Sequence, residues 1–197
     1  MSDFVFNQRS PHLLVVDQFY KDPDEVVRMA KAMEFKEDGR YFKGVRSNNC
    51  LLPYVKEEFE RLLRVQITDW LSQPMNGVFQ MTNDDHPIVW HSDSQSYAAA
   101  IYLTKYAGVG YGTSFWRDKT HLCRRPPNHP LEAKTVLTDA DVYTQYNLLH
   151  PDNWELVDRV GSVYNRLVIW DAKMIHSATQ YGKFERLVQL FFFSVKS

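Results

Sequence analysis

The chain of 197 residues contains only 2 cysteines, Cys50 and Cys123. They cannot build the disulfide framework of a small secreted scaffold, and they lack the close spacing of a cysteine metal site. Two reduced thiols in a cytoplasmic protein is the expected state. Long hydrophobic runs are missing as well. The longest, around Leu190-Phe191-Phe192-Phe193, falls far short of the ~20 residues a membrane-spanning helix needs. The opening MSDFVFNQRSPHLL has no basic stretch followed by an apolar core, so no signal peptide is expected. Nor is there an excess of one charge: 23 Lys+Arg against 24 Asp+Glu leave a net charge of −1. Neither a nucleic-acid backbone nor an anionic membrane is therefore the expected partner. Linkers, repeats and low-complexity segments are absent too, and one domain over 1–197 is expected.

What the chain has is ordinary globular material, 44% hydrophobic and 24% charged. A chain of this length can bury roughly 70% of its extended surface without staples. The aromatic content is high, with 5 Trp, 11 Tyr and 12 Phe, which favours strands.

Residues 1–76 read as a helical support. Leu13-Leu14-Val15-Val16 is a buried-strand run. Asp22-Pro23-Asp24-Glu25 supplies an N-cap, a proline at the first helical position and acids in the first turn. Val26, Ala30 and Met33 then carry a helix to about Phe35. A polar stretch follows from Lys36 to Asn49. Pro53 opens a second helix, with Val55, Phe59, Leu62, Leu63, Ile67 and Trp70 on one side.

After Gly77 the pattern changes. Val78 to Met81, Ile88 to Trp90, Tyr97 to Thr104, Thr113 to Trp116, Ser162 to Trp170 and Arg186 to Val195 are short, rich in β-branched and aromatic residues, and bounded by Gly, Asn, Asp and Pro. Six or more such strands predict a β-barrel or sandwich over residues 77–197. The exception is a long polar insertion, 117–156, which loops of this length usually devote to a lid or a partner surface. It begins with the basic residues Arg117, Lys119, His121, Arg124 and Arg125, which could receive an anionic substrate or simply be solvated.

His91-Ser92-Asp93 follows directly on Ile88-Val89-Trp90. At i and i+2 on extended backbone, the imidazole and carboxylate project from one face and can bind one metal. Alone, such a triplet is a common accident. His176, at another strand end, supplies a third ligand if the fold brings the strands together. Arg186 opens the strongest strand of the chain and shares a face with Val188, Leu190 and Phe192. A buried arginine without an anionic partner is costly, so it needs either a ligand carboxylate or an internal partner such as Glu185 or Asp171. Two histidines and a carboxylate form a facial triad, the donor set of non-heme Fe(II). His86 with Asp84 or Asp85 is a competing acidic cluster, without a distant third partner.

These residues resemble the H-x-D…H…R pattern of Fe(II)/2-oxoglutarate-dependent dioxygenases. The resemblance spans roughly Gly77 to Ser197. Gly112-Thr113-Ser114-Phe115-Trp116 is similar to a glycine-opened strand of the prolyl-hydroxylase-like branch, and Tyr164 to Trp170 to the strand leading into the distal histidine. The resemblance implies a mainly β fold with N-terminal helices and a double-stranded β-helix (jelly-roll) core. It further implies that His91, Asp93 and His176 bind Fe(II), and that Arg186 holds the distal carboxylate of the co-substrate 2-oxoglutarate. Either Tyr102 or Tyr97 would add a hydroxyl to that co-substrate. Their opposite parity lets only one face inward, and Tyr102 is favoured. Retention of Asp93 implies hydroxylation or another oxidation rather than halogenation. O2 is the oxidant, and a small molecule or an amino-acid or peptide side chain the expected substrate. The competing functions are a cupin-like metal enzyme that does not use 2-oxoglutarate and a non-catalytic jelly-roll binding domain.

Overall fold

The computed structural model describes residues 11–37, 44–86, 88–119 and 151–196. Strand β1 (Leu13–Val16) leads to helix α1 (Pro23–Lys31), then β2 (Phe35–Glu37), β3 (Val45–Asn49) and helix α2 (Val55–Leu63). The β-rich part follows as β4 (Val78–Thr82), β5 (Tyr97–Tyr102), β6 (Thr113–Asp118), β7 (Trp154–Val160), β8 (Arg166–Asp171), β9 (His176–Ala178) and β10 (Arg186–Phe193). A seven-stranded antiparallel sheet runs in the order β1-β8-β5-β10-β4-β3-β2, and a three-stranded sheet in the order β7-β6-β9. The fold is mainly β, two antiparallel sheets in a jelly-roll with N-terminal helices. No helix among the described residues is long and apolar enough to cross a membrane.

The large sheet has two different faces, and its alternation explains why the strands are apolar throughout. One face packs on the helices: Phe79, Leu187, Phe191 and Phe193 meet Val26, Ala30, Phe59, Leu63 and Trp70. Phe59 sits at the centre of this layer, its ring within 5.1–5.7 Å of those of Phe19, Trp70, Phe191 and Phe193. The other face looks into the jelly-roll, where Ala98, Ala100, Tyr102, Val168, Trp170 and Val188 meet Phe115 and Val160 of the small sheet.

The first helix starts as its sequence dictates. The Asp22 carboxylate accepts from the Glu25 N–H at 2.9 Å, with Pro23 at the first helical position. Both helices end earlier than the apolar periodicity suggests. The first stops at Lys31 rather than near Phe35, because Phe35 turns into β2. The second stops at Leu63, where Arg64 takes a left-handed conformation (φ 56°) and caps it. Ile67 then bridges to Val195 instead of extending the helix. The polar stretch before α2 holds two strands, β2 and β3, that alternation did not reveal. Ile88 to Trp90 is irregular rather than a strand, and β7, which pairs with β6, begins within the expected insertion. Residues 120–150 of that insertion, with His121, Cys123, Arg124 and Arg125, lie outside the described residues.

Candidate active site

Strand β9 is short, but its pairing positions the chemistry. On one side Phe115 of β6 pairs with His176. On the other, His91 forms an isolated antiparallel bridge with the same residue. The His91 N–H donates to the His176 carbonyl at 3.0 Å, and the His176 N–H to the His91 carbonyl at 2.8 Å. Residues directly opposite in an antiparallel pair put their side chains on one face, and here the two imidazoles meet with ring centroids 4.3 Å apart. The Asp93 N–H donates to the Ala172 carbonyl at 2.8 Å, which keeps the backbone extended. Asp93, two residues on from His91, therefore returns to the same side. One donor atom from each of the three lies within 4.8 Å of the others.

The ring orientations are set by backbone carbonyls. His176 Nδ1 lies 2.8 Å from the Met174 carbonyl and His91 Nδ1 lies 3.3 Å from the Val89 carbonyl. A carbonyl accepts only, so each Nδ1 carries a proton and each Nε2 is left to face the site. The two Nε2 atoms face the Asp93 carboxylate, at 3.8 Å from His91 to Oδ1 and 3.3 Å from His176 to Oδ2. Oδ2 is buried and has no hydrogen-bond partner among the described residues. Burial would raise the Asp93 pKa, but His176, His91 and Arg46 outweigh it and hold the group below its ordinary value. Burial, then the nearby His176, pushes His91 down to about 4, so it stands neutral with Nε2 available. An orphaned carboxylate oxygen and two imidazole Nε2 atoms aimed at one point fit a divalent metal. Donors about 2.1 Å from an ion on adjacent octahedral vertices lie roughly 3 Å apart, close to the 3.3 Å between His176 and Asp93.

Arg186 is 5% exposed and lies on the interior face, as its parity with Val188 requires. Its Nε donates to the Tyr111 carbonyl at 3.0 Å, and its guanidinium sits 5.7 Å from the Tyr102 ring centroid. No carboxylate among the described residues pairs with it. Asp171 instead approaches His12, 3.5 Å away. Tyr102 faces inward, its hydroxyl 2.7 Å from Thr113 Oγ1, whereas Tyr97 packs on the helix side of the sheet. Burial raises the Tyr102 pKa against the opposing pull of Arg186, so the phenol stays protonated. The structure thus brings His91, Asp93 and His176 together and turns Arg186 and Tyr102 into the same interior. His86 does not form a competing cluster. Its Nδ1 lies 3.2 Å from the Asn83 carbonyl, and its ring packs edge-on against Tyr181.

One buried cation escaped the sequence reading. Arg46 of β3 is 9% exposed on the interior side of the large sheet, in a segment whose polarity reads as a loop. A cross-strand pairing with Gln80 of β4 is the signal that places it, and no local pattern carries that information.

Residues 4–180 match the family described as a family of unknown function, DUF6445. The chain belongs to that family. No curated protein matches it by sequence. Among solved structures it is similar to HygX from Streptomyces hygroscopicus, with nickel, 2-oxoglutarate and hygromycin B bound, at 13% identity and a TM-score of 0.55, covering 94% of this chain and 83% of that one. It is also similar to a 2OG-Fe(II) oxygenase family oxidoreductase from Burkholderia pseudomallei (9% identity, TM-score 0.54, 93% and 84% covered). A third is SnoN, a non-heme α-ketoglutarate-dependent epimerase from nogalamycin biosynthesis (13% identity, TM-score 0.56, 93% and 79% covered). At such identities the likeness establishes the fold, and this member of DUF6445 has the fold of these oxygenases.

Proposed function

We propose that this protein is an Fe(II)- and 2-oxoglutarate-dependent oxygenase that hydroxylates a small molecule or an amino-acid side chain. One observation carries the reading. Two imidazoles and a carboxylate converge in the same jelly-roll interior that buries Arg186 without a carboxylate partner among the described residues. In this reading His91, Asp93 and His176 would hold the iron, a three-residue donor set of the kind that serves non-heme Fe(II). Arg186 takes the distal carboxylate of 2-oxoglutarate in a charge-assisted pair. Tyr102 stacks beneath the guanidinium and orients it, with its hydroxyl beside the same carboxylate.

Iron, when bound, would supply O2 activation, with 2-oxoglutarate giving CO2 and succinate that keeps one oxygen atom while the other would enter a substrate C–H bond. The protein's own part is orientation and water exclusion. The Met174 and Val89 carbonyls fix the histidine tautomers. Phe115 and Trp170 wall the interior behind His176, the Trp170 ring 5.0 Å from the imidazole. A small-molecule substrate agrees with the hygromycin B bound to HygX.

The test is spectroscopic. Anaerobic addition of Fe(II) and 2-oxoglutarate should give a weak visible charge-transfer band, because that band needs both on one chelating centre. H176A should abolish it. Aerobic succinate formation from 2-oxoglutarate should follow the same pattern. A wild-type protein without the band, or a band that survives H176A, refutes the assignment and favours a metal enzyme that does not use 2-oxoglutarate or a binding domain.

A further inference from the structure

The chain that delivers His91 is short of backbone support. Ile88 to Trp90 forms no strand, and the bridge from His91 to His176 is an isolated one. The antiparallel register of that bridge sets Trp90 opposite Ser177. By strand alternation both side chains point away from the interior that the histidines face. Strand β6 flanks β9 on its other side, with Phe115 opposite the inward His176, so Trp116 joins Trp90 and Ser177 on the reverse face.

Trp116 reaches both ligand segments from there. Its backbone N–H donates to the Ile175 carbonyl at 2.9 Å, and its indole Nε1–H donates to Ser177 Oγ at 2.8 Å. The two bonds bracket His176. The Ser177 hydroxyl gives its one proton to the Ala178 carbonyl at 2.8 Å, which leaves its lone pairs for the indole, a donor only. The Trp116 ring also meets the Trp90 ring edge-to-face, centroids 5.8 Å apart at 72°, an arrangement that aromatic quadrupoles favour. Ile88 and Val89 pack with Trp116 against buried Trp90, Trp154 and Ile175. In place of a strand ladder, the segment before His91 is held to β6 and β9 by this aromatic layer.

We infer that Trp116 is a positioning residue for the metal centre, and that with Ser177 and Trp90 it sets the separation of His91 and His176 in the metal-free protein. The inference rests on the metal-holding triad of the reading above. The Val89 and Met174 carbonyls aim the two rings, whereas the Trp116 clamp fixes how far apart the two backbones stand. A coordination site tolerates an error of only about 0.5 Å in that distance. Phenylalanine at this position could pack on Trp90 but could not bond Ser177, and only a side chain that does both ties the two segments together.

The experiment titrates Co(II) into the full chain, with calorimetry for affinity and the visible bands of the bound ion for geometry. W116F keeps a ring beside Trp90 and loses the indole N–H, and S177A loses its acceptor. Each should weaken Co(II) by about ten-fold, the low end of what outer partners of metal ligands cost, and shift the bands of the saturated protein. The double variant W116F/S177A should lose no more than either alone, because both remove the same hydrogen bond. F59A is the control, since Phe59 packs on the far face of the large sheet, and its folded protein should keep wild-type affinity and bands. Affinity within about three-fold of wild type in both single variants, saturated bands superimposable on the wild type's, or an affinity loss that F59A reproduces overturns the inference. Should W116F fail to fold, S177A still decides. H176A is titrated alongside. A wild type that binds no Co(II), or binding that survives H176A, sinks the metal triad and this inference together. Binding that needs His176 but ignores Trp116 and Ser177 sinks this inference alone.

Discussion

Arg186→Met separates a ligand-binding arginine from a structural one, because the two roles move stability in different directions. The native guanidinium is 5% exposed, donates once among the described residues, to the Tyr111 carbonyl at 3.0 Å, and lies 5.7 Å from the Tyr102 ring. Substitution forfeits a hydrogen bond from a charged donor, about 1.5–3 kcal/mol, and a cation–π contact of about 0.5–2 kcal/mol. Against that, methionine keeps most of the apolar stem and removes a buried charge whose desolvation costs several kcal/mol. The terms nearly cancel, and R186M without ligand should unfold within about 1 kcal/mol of wild type, possible gain included. Co-substrate binding behaves differently. Two charge-assisted bonds at about 1.5 kcal/mol each, the low end of their range, make a loss of about 3 kcal/mol. That is a weakening of 2-oxoglutarate of roughly 100-fold or more at ~1.4 kcal/mol per decade, with metal affinity near normal. Urea unfolding of the apoprotein and calorimetry of 2-oxoglutarate onto the Ni(II)-loaded protein measure both quantities. A stability loss of about 3–5 kcal/mol, the signature of a broken buried ion pair, or 2-oxoglutarate affinity within ten-fold of wild type, refutes the reasoning.

His91→Ala and His176→Ala should each abolish stoichiometric Fe(II) binding, since two remaining donors compete poorly with water; calorimetry that finds wild-type affinity removes that histidine from the ligand set. Gly112→Ala should destabilise by about 2–3 kcal/mol, the upper part of the cost of overpacking. An added Cβ would lie 1.9 Å from the Val160 carbonyl oxygen and 2.8 Å from the Ser162 nitrogen, both backbone, so β6 and β7 must part. A denaturation midpoint equal to wild type would show that the strands yield freely. Phe59→Ala should cost about 3–5 kcal/mol for an aromatic lost from a core, read from urea unfolding. Fe(II) affinity of the folded fraction should not move, because Phe59 packs on the face of the sheet away from the triad.

The parts of this molecule legible in the sequence are those whose information is local. Asp22-Pro23 marks a helix start because a short carboxylate and a ring without an N–H suit only that position. The face of Arg186 follows from period-2 alternation along an unbroken strand, and parity likewise allows only one of Tyr97 and Tyr102 to face inward. Other features depend on partners distant in the chain. Polar β3 is a strand because β4 pairs with it, and Arg46 is interior only as a result. The helices stop short of their apolar periodicity because Phe35 and Ile67 find partners in β3 and beside β10. Periodicity sees which residues are buried but not which element buries them.

The same distinction explains why the triad could be named from the sequence but its geometry could not. The pattern H-x-D states that an imidazole and a carboxylate share a side of extended backbone, and it says nothing of where His176 lies. That position comes from a single bridge, two hydrogen bonds between the backbones of His91 and His176, which makes the residues direct neighbours in place of a longer strand. The backbone around them also supplies the two carbonyls that fix the rings, from Val89 and Met174, each two residues before the histidine it orients. Both histidines thus have their donor atoms aimed by chain geometry rather than by other side chains. Replacing neighbouring side chains should leave the tautomers unchanged, whereas anything that parts β6 from β9 displaces His176 and the site with it.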